Sequence, residues 1–187
     1  ETMAGSDATS IEAEGLLFQD PKSKKLMIKL NFSKRYITLA PVATLLGIAF
    51  QLHDPEQHFS KEKKLGITLA LISHKQKGIS IKKHDPLGLA FENGAIIAKD
   101  VIIPADAIIG GVNNAGKGWP MLVECLAIGR AISLPAVSCA NACLASIYTG
   151  AYAKCRKQFN SSIGNFSGIQ TVLAKIGGLT YLMESAR

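Results

Sequence analysis

Short apolar runs and apolar–polar alternation occupy the first two-thirds of the chain, and a helical period replaces them near Gly116. Leu26 to Phe32 is a short apolar run broken by Lys29, and Tyr36-Ile37-Thr38-Leu39 is rich in strand-forming residues. Leu65 to Ser73, Gly78 to Lys82 and Ala95 to Ile103 follow, each bounded by Gly, Pro or Asp, and all five segments predict strands. No helical pattern separates them, which argues against a parallel α/β sheet, and their spacing suggests a compact barrel or sandwich. Trp119-Pro120 then opens a helical pattern that runs to about Lys154, with Pro135 predicting a kink. A second helix starts near Ile169 and runs to the last residue. The expected fold is therefore α+β and multidomain: a β domain over 1–117, then a helical part over 118–187. The first residue is Glu1 rather than Met, and Arg187 falls inside a helical pattern, so the sequence reads as a piece of a longer protein.

Composition narrows the class. Of 187 residues, 48% are apolar and 19% charged, which suits a packed globular chain rather than a disordered tail. Four cysteines at this length do not make a disulfide scaffold. The net charge of +7 divides evenly, +4 over residues 1–90 (13 Lys/Arg, 9 Asp/Glu) and +3 over 91–187 (8 and 5). Such a spread does not build the basic patch of a nucleic-acid binder, but suits an anionic small molecule. Ala131 to Ala153 carries no charge and is long enough to span a bilayer. Ser133, Pro135, Ser138, Asn141, Ser146 and Thr149 make it polar for that task, so a buried helix in a bundle is expected.

Several candidate sites dissolve on inspection. Gly111 to Gly118 nearly matches the phosphate-binding G-x4-G-K-[ST], but position 118 lacks the hydroxyl that holds Mg²⁺, and a flexible inter-domain connection is expected instead. Cys139 and Cys143 share a helix face without zinc-type partners, and His53, His58, His74 and His84 show no ligand spacing, so no metal site is expected. Residues 1–10 are more specific. Gly5 followed by Ser6 and Asp7 can form a tight turn whose free N–H groups suit a phosphate, or simply a polar loop.

That segment, Glu1-Thr2-Met3-Ala4-Gly5-Ser6-Asp7, resembles the E-x-x-[small]-G-[ST]-D signature of the acyl-CoA dehydrogenases. Three more segments resemble that family in the right order: Lys34-Arg35-Tyr36-Ile37-Thr38 (K-x-[WY]-I-T), Asp100 to Pro104 (D-V-x-V-P) and Arg156-Lys157-Gln158-Phe159 (R-x-x-F). The residues after Arg156 look most like the large proteobacterial long-chain enzymes of fatty acid β-oxidation. The resemblance implies an antiparallel, β-barrel-like middle domain followed by the first long helices of a four-helix bundle, with an N-terminal helical domain and the rest of the bundle outside these residues. It implies an FAD enzyme that oxidises acyl-CoA to trans-2-enoyl-CoA by removing an α-proton and passing a β-hydride to the flavin. Gly5, Ser6, Tyr36, Ile37 and Thr38 are then expected at the flavin, and Ser6 also at the thioester. Arg156, Lys157, Gln158 and Phe159 are expected at the FAD of a neighbouring subunit, where a guanidinium can fork onto phosphate oxygens. Arg130 is expected to hold acyl-CoA, although the family's usual Asp three residues earlier is Ala127. The common Trp is Tyr36, and the usual Asn-Gly after Thr38 is Leu39-Ala40. No residue matches the catalytic Glu, which is expected beyond Arg187, so these residues alone are expected to be inactive. The implied partners are acyl-CoA, an electron-transfer flavoprotein or similar acceptor and a second copy in a homodimer or homotetramer, with no nucleic acid. The implied location is cytoplasmic, peripheral at the inner membrane. A homologue that has lost catalysis and an oxidase that passes electrons to O₂ remain as alternatives.

Overall fold

A computed structural model describes residues 1–187 apart from Ser60 and Leu89. The chain divides into two compact units, Glu1–Leu122 and Val123–Arg187.

The first unit is built on six strands: β1 (Glu14–Gln19), β2 (Leu26–Thr38), β3 (Leu45–His53), β4 (Lys64–Ser73), β5 (Ile79–Lys83) and β6 (Asn93–Pro104). They form one sheet in the order β4-β3-β1-β2-β6-β5. The pairings are antiparallel, as expected, except for β1 with β3, which is parallel. The predicted runs Leu26–Phe32 and Tyr36–Leu39 are one continuous strand, β2. β1 and β3 were not predicted. Gly15 and Gly47 interrupt their apolar runs, yet at Gly15 the Phe50 ring occupies the space a Cβ would need, 2.5 Å away.

The period of two explains the core. Leu46, Ile48, Phe50 and Leu52 of β3 and Ile28, Leu30 and Phe32 of β2 point to one interior. Full enclosure of each large apolar side chain contributes about 1.5–3 kcal/mol. In β6 the buried positions run Ile96, Ala98, then Val101, Ile103, because a bulge opposite Asn31 inserts one residue. Asp100 sits in that bulge at φ +49°, and its N–H donates to Asn31 Oδ1 at 2.8 Å.

Two buried polar side chains, Asp54 and Thr68, accept backbone N–H groups. The Asp54 carboxylate accepts the backbone N–H groups of His58 (3.0 Å) and Phe59 (2.8 Å). Thr68 Oγ1 accepts the Gly116 N–H at 2.8 Å. Gly116 has φ +78°, and a Cβ there would collide with the Leu65 carbonyl; one at Gly118 would lie 2.7 Å from the Ile67 carbonyl. Gly116 and Gly118 of the near-P-loop are thus used for close packing against β4, whereas a Cβ at Gly111 would meet nothing within 4 Å. The expected flexible connection is replaced by a tightly seated one.

The second unit contains most of α1 (Gly118–Cys155), then β7 (Lys157–Gln158), β8 (Ser161–Ser162) and α2 (Ser167–Ala186). α1 is long and apolar enough to cross a membrane by length and composition. The expectation that it is a buried helix is not met within these residues: between 131 and 153 only Cys139 and Ala153 are buried. Its apolar residues point in every direction, so one neighbouring helix cannot cover them. Its polar side chains fold back on the helix, with Ser138 Oγ donating to the Leu134 carbonyl (2.9 Å) and Asn141 Nδ2 to that of Val137 (3.0 Å).

Candidate functional site

The Gly-Ser-Asp segment is a self-contained turn. The Asp7 carboxylate accepts Thr9 Oγ1–H at 2.6 Å and the Ser10 hydroxyl, and Ser10 N–H donates to the Asp7 carbonyl at 3.2 Å. The Ser10 and Thr9 hydroxyls hold the Asp7 carboxyl below its ordinary range. Asp7 is therefore committed to its own loop, while Gly5 and Ser6 are exposed. A Cβ built on Gly5 meets nothing within 4 Å, and its φ is not in the left-handed region. Neither the chain's packing nor its backbone conformation demands a glycine there, unlike at Gly15 or Gly116. What the glycine leaves is bare backbone open to close approach from outside.

β2 supplies the facing wall. Its ladder with β6 runs through Lys34–Ile96 and resumes at Ile37–Gly94, so a bulge takes up Arg35 and Tyr36. Without it, the period of two would put Tyr36 on the inward face with Phe32 and Lys34. With it, the Tyr36 ring is turned out and is 68% exposed. An open cavity of about 390 Å³ results, with Gly5 and Ala4 on one side and Tyr36 and Ile37 on the other.

An ion pair ties the two walls. Lys34 Nζ lies 2.6 Å from Glu1 Oε1, with the side chains only 12% and 6% exposed. The ammonium also stands 5.7 Å above the Phe32 ring. Sequence reasoning used Lys34 and Glu1 as landmarks of two separate segments and missed that they meet. A second missed residue is His84, whose Nε2 lies 2.7 Å from the Arg35 carbonyl and whose ring is 4.5 Å from that of Tyr36. No spacing rule joins positions 49 apart across a sheet.

Of the expected residues, the structure brings Gly5 together with Tyr36 and Ile37. Ser6 and Thr38 adjoin that cavity in sequence, one residue beyond Gly5 and Ile37 respectively, without lining it. Thr38 ends β2, exposed and opposite Asn93, and Leu39 then takes φ +61°.

The remaining expected residues belong to the second unit. Lys157 and Gln158 form β7, paired with Ser162 and Ser161. Phe159 (φ +51°) and Asn160 (φ +58°) make the two-residue turn, the left-handed pair that a type I′ hairpin requires. Asn suits that conformation and Phe does not, yet Phe159 stands 92% exposed at the tip, edge-on to Phe166 at 6.3 Å. The Arg156 backbone is pinned at both ends, N–H to the Tyr152 carbonyl (2.8 Å) and carbonyl from the Ile163 N–H (2.9 Å), while its side chain is open to solvent. Arg130 is exposed on α1. Among the described residues no three His, Cys, Asp or Glu side chains gather as metal ligands.

No family model matches the chain. Protein HemX of Proteus mirabilis is 47% identical over 104 residues, which cover 55% of this chain and 61% of that protein. The 3-(aryl)acrylate reductase of Clostridium sporogenes is 32% identical over 176 residues, 92% of this chain and 41% of that protein. The short-chain-specific acyl-CoA dehydrogenase of Clostridium acetobutylicum is 34% identical over 160 residues, 84% and 39%. The chain thus spans from 39% to 61% of the length of these relatives. The crystal structure of an acyl-CoA dehydrogenase from Geobacillus kaustophilus superposes with a TM-score of 0.73 at 25% identity, over 96% of this chain and 44% of that one. An acyl-CoA dehydrogenase from Bacillus anthracis complexed with FAD gives 0.76 at 24% identity, over 97% and 28%, a likeness of fold.

Proposed function

Because this chain belongs to the acyl-CoA dehydrogenase family, we propose that the whole protein is an FAD enzyme that oxidises long-chain acyl-CoA to trans-2-enoyl-CoA in fatty acid β-oxidation. The observation that carries this reading is the cavity between the bare Gly5 backbone and the outturned Tyr36 ring. A flat heterocycle fits an exposed aromatic wall, and a glycine with open space above it admits close approach of a ligand to the main chain. When bound, FAD supplies the acceptor for the β-hydride.

The chain's own residues divide the remaining work. Tyr36 and Ile37 pack against the ring, and Thr38 offers a hydroxyl at the flavin edge. Gly5 and Ser6 offer N–H and O–H donors to the flavin and to the thioester carbonyl. A donor aimed at that carbonyl stabilises the negative charge that builds as the α-proton leaves. Arg156 to Phe159 form a hairpin suited to the FAD diphosphate of a second copy, since the guanidinium can bind two phosphate oxygens at once. Arg130 is assigned to acyl-CoA. The general base is a glutamate outside residues 1–187. An electron-transfer flavoprotein is the proposed acceptor, and the proposed location is the cytoplasm, peripheral at the inner membrane.

The test is anaerobic titration of the full-length protein with palmitoyl-CoA. Bleaching of the oxidised flavin bands is expected, and no bleaching with acyl-CoA of any chain length overturns the reading. The likeness to an acrylate reductase favours a second reading, the same site working towards reduction. Flavin that is left oxidised by acyl-CoA, yet is reoxidised by a 2-enoyl-CoA after chemical reduction, selects it.

A further inference from the structure

The bulge in β2 leaves the backbone of Arg35 and Tyr36 outside the ladder with β6. A carbonyl released in this way needs another donor. The donor is a side chain. His84 follows the last residue of β5, and its backbone N–H is tied to the Asn93 carbonyl at 2.9 Å. From there the imidazole reaches across β6, the strand between β5 and β2, to place Nε2 2.7 Å from the Arg35 carbonyl oxygen. A carbonyl only accepts, so Nε2 carries the proton. The same ring lies 4.5 Å from the Tyr36 ring, with 36° between their planes. One side chain therefore holds both the backbone that bends and the aromatic that the bend turns outward.

We propose that His84 is a positioning residue for the flavin wall. Its Nε2–H pins the bulge at Arg35, and its ring sets the tilt of Tyr36 toward the cavity beside Gly5. The inference rests on the reading of Tyr36 as a wall of the flavin site. It assigns a role to a residue on the loop after β5, away from every segment that carries the family resemblance.

The test uses the full-length flavin-loaded protein, with FAD affinity of the apo-protein and visible circular dichroism of the bound flavin as readouts. His84→Ala is expected to weaken FAD about fivefold, the effect of one hydrogen bond, and to reshape the flavin dichroism. His84→Gln places an amide N–H near the position of Nε2 and is expected to return affinity to within about twofold of the parent. His84→Asn, whose amide stands near Nδ1, is expected to resemble His84→Ala. Parent-like dichroism and affinity in His84→Ala overturn the proposal. Should that variant not fold, equal behaviour of the Gln and Asn variants overturns it. Tyr36→Leu separates the two claims. Unchanged flavin spectra and affinity there overturn the flavin-wall reading itself. An effect of Tyr36→Leu with none from His84→Ala overturns only the role of His84.

Discussion

In the strand unit Leu17, Ile28, Phe50 and Ile96 are fully enclosed, whereas in the helical unit Ile132, Leu134, Ile147 and Tyr148 stand open to solvent. The residue types are similar and the patterning differs. A strand of period two sorts its side chains into an inner and an outer face, and six such strands close over one interior without outside help. α1 carries apolar residues around its whole circumference, and α2 covers one side only. The polar groups that would mark a solvent face instead donate to the helix's own carbonyls, as Ser138 and Asn141 do. The same apolar content is therefore a completed core in one unit and an unpartnered surface in the other.

Truncation tests this contrast most sharply. Phe50→Ala is expected to destabilise the strand unit by about 4 kcal/mol, as a large ring is lost from a closed core. Ile147→Ala, at a side chain 63% exposed, is expected to change stability by no more than about 0.5 kcal/mol in residues 1–187. Urea midpoints of the two variants check both, and equal losses would break the comparison.

The next effect concerns the enclosed charge pair of Lys34 and Glu1. Lys34→Met leaves the Glu1 carboxylate without its cation at 6% exposure, a loss of about 3 kcal/mol. Restoration of stability by Glu1→Gln in the same chain would show that the penalty is the stranded charge.

Leu39→Asn should move stability the other way, by about 1 kcal/mol, because Leu at φ +61° is strained where Asn is tolerated. A raised thermal midpoint with unchanged strand content checks it.

The smallest effect is in acid. The Asp7 carboxyl is depressed by the Ser10 and Thr9 hydroxyls, so the bonds of its turn favour the charged form. Their contribution is present above the ordinary value of 3.8 and disappears as pH falls through the lower folded value. Amide shifts of Thr9 and Ser10 should titrate with a midpoint below 3.8, and a midpoint above it would refute the assignment.

What could be read in advance follows from range. Leu65–Ser73, Gly78–Lys82 and Ala95–Ile103 have their signal in neighbouring residues, and β4, β5 and β6 match them within a residue or two. β1 and β3 carry a weaker local signal, since Gly15 and Gly47 interrupt their apolar runs. The reason Gly15 is tolerated, the Phe50 ring, lies 35 positions away in another strand. The bulges at Tyr36 and Asp100 were invisible, since they depend on how β2 and β6 register, not on either sequence alone. At the candidate site, the segments holding Gly5 and Tyr36 stand out by their family-like motifs, and the structure brings the two residues to one cavity. The groups that hold them, Glu1 with Lys34 and the His84 ring, do not stand out as partners. A lysine on a strand reads as solvated, and a lone histidine in a loop reads as incidental.

The strand order also has a consequence for the time at which the sheet can form. β2 lies between β1, which precedes it, and β6, whose first residue, Asn93, follows Thr38 by 55 positions. At a translation rate of roughly 5–20 residues per second, the ribosome needs roughly 3–11 s to cover that gap. During that interval β2 can pair only on its β1 side, and its other edge, whose backbone groups later bond β6, is an open template for strangers. The nascent chain therefore passes through a stage at which one of its two central strands is an edge, and this is where a holding chaperone would have the most to protect.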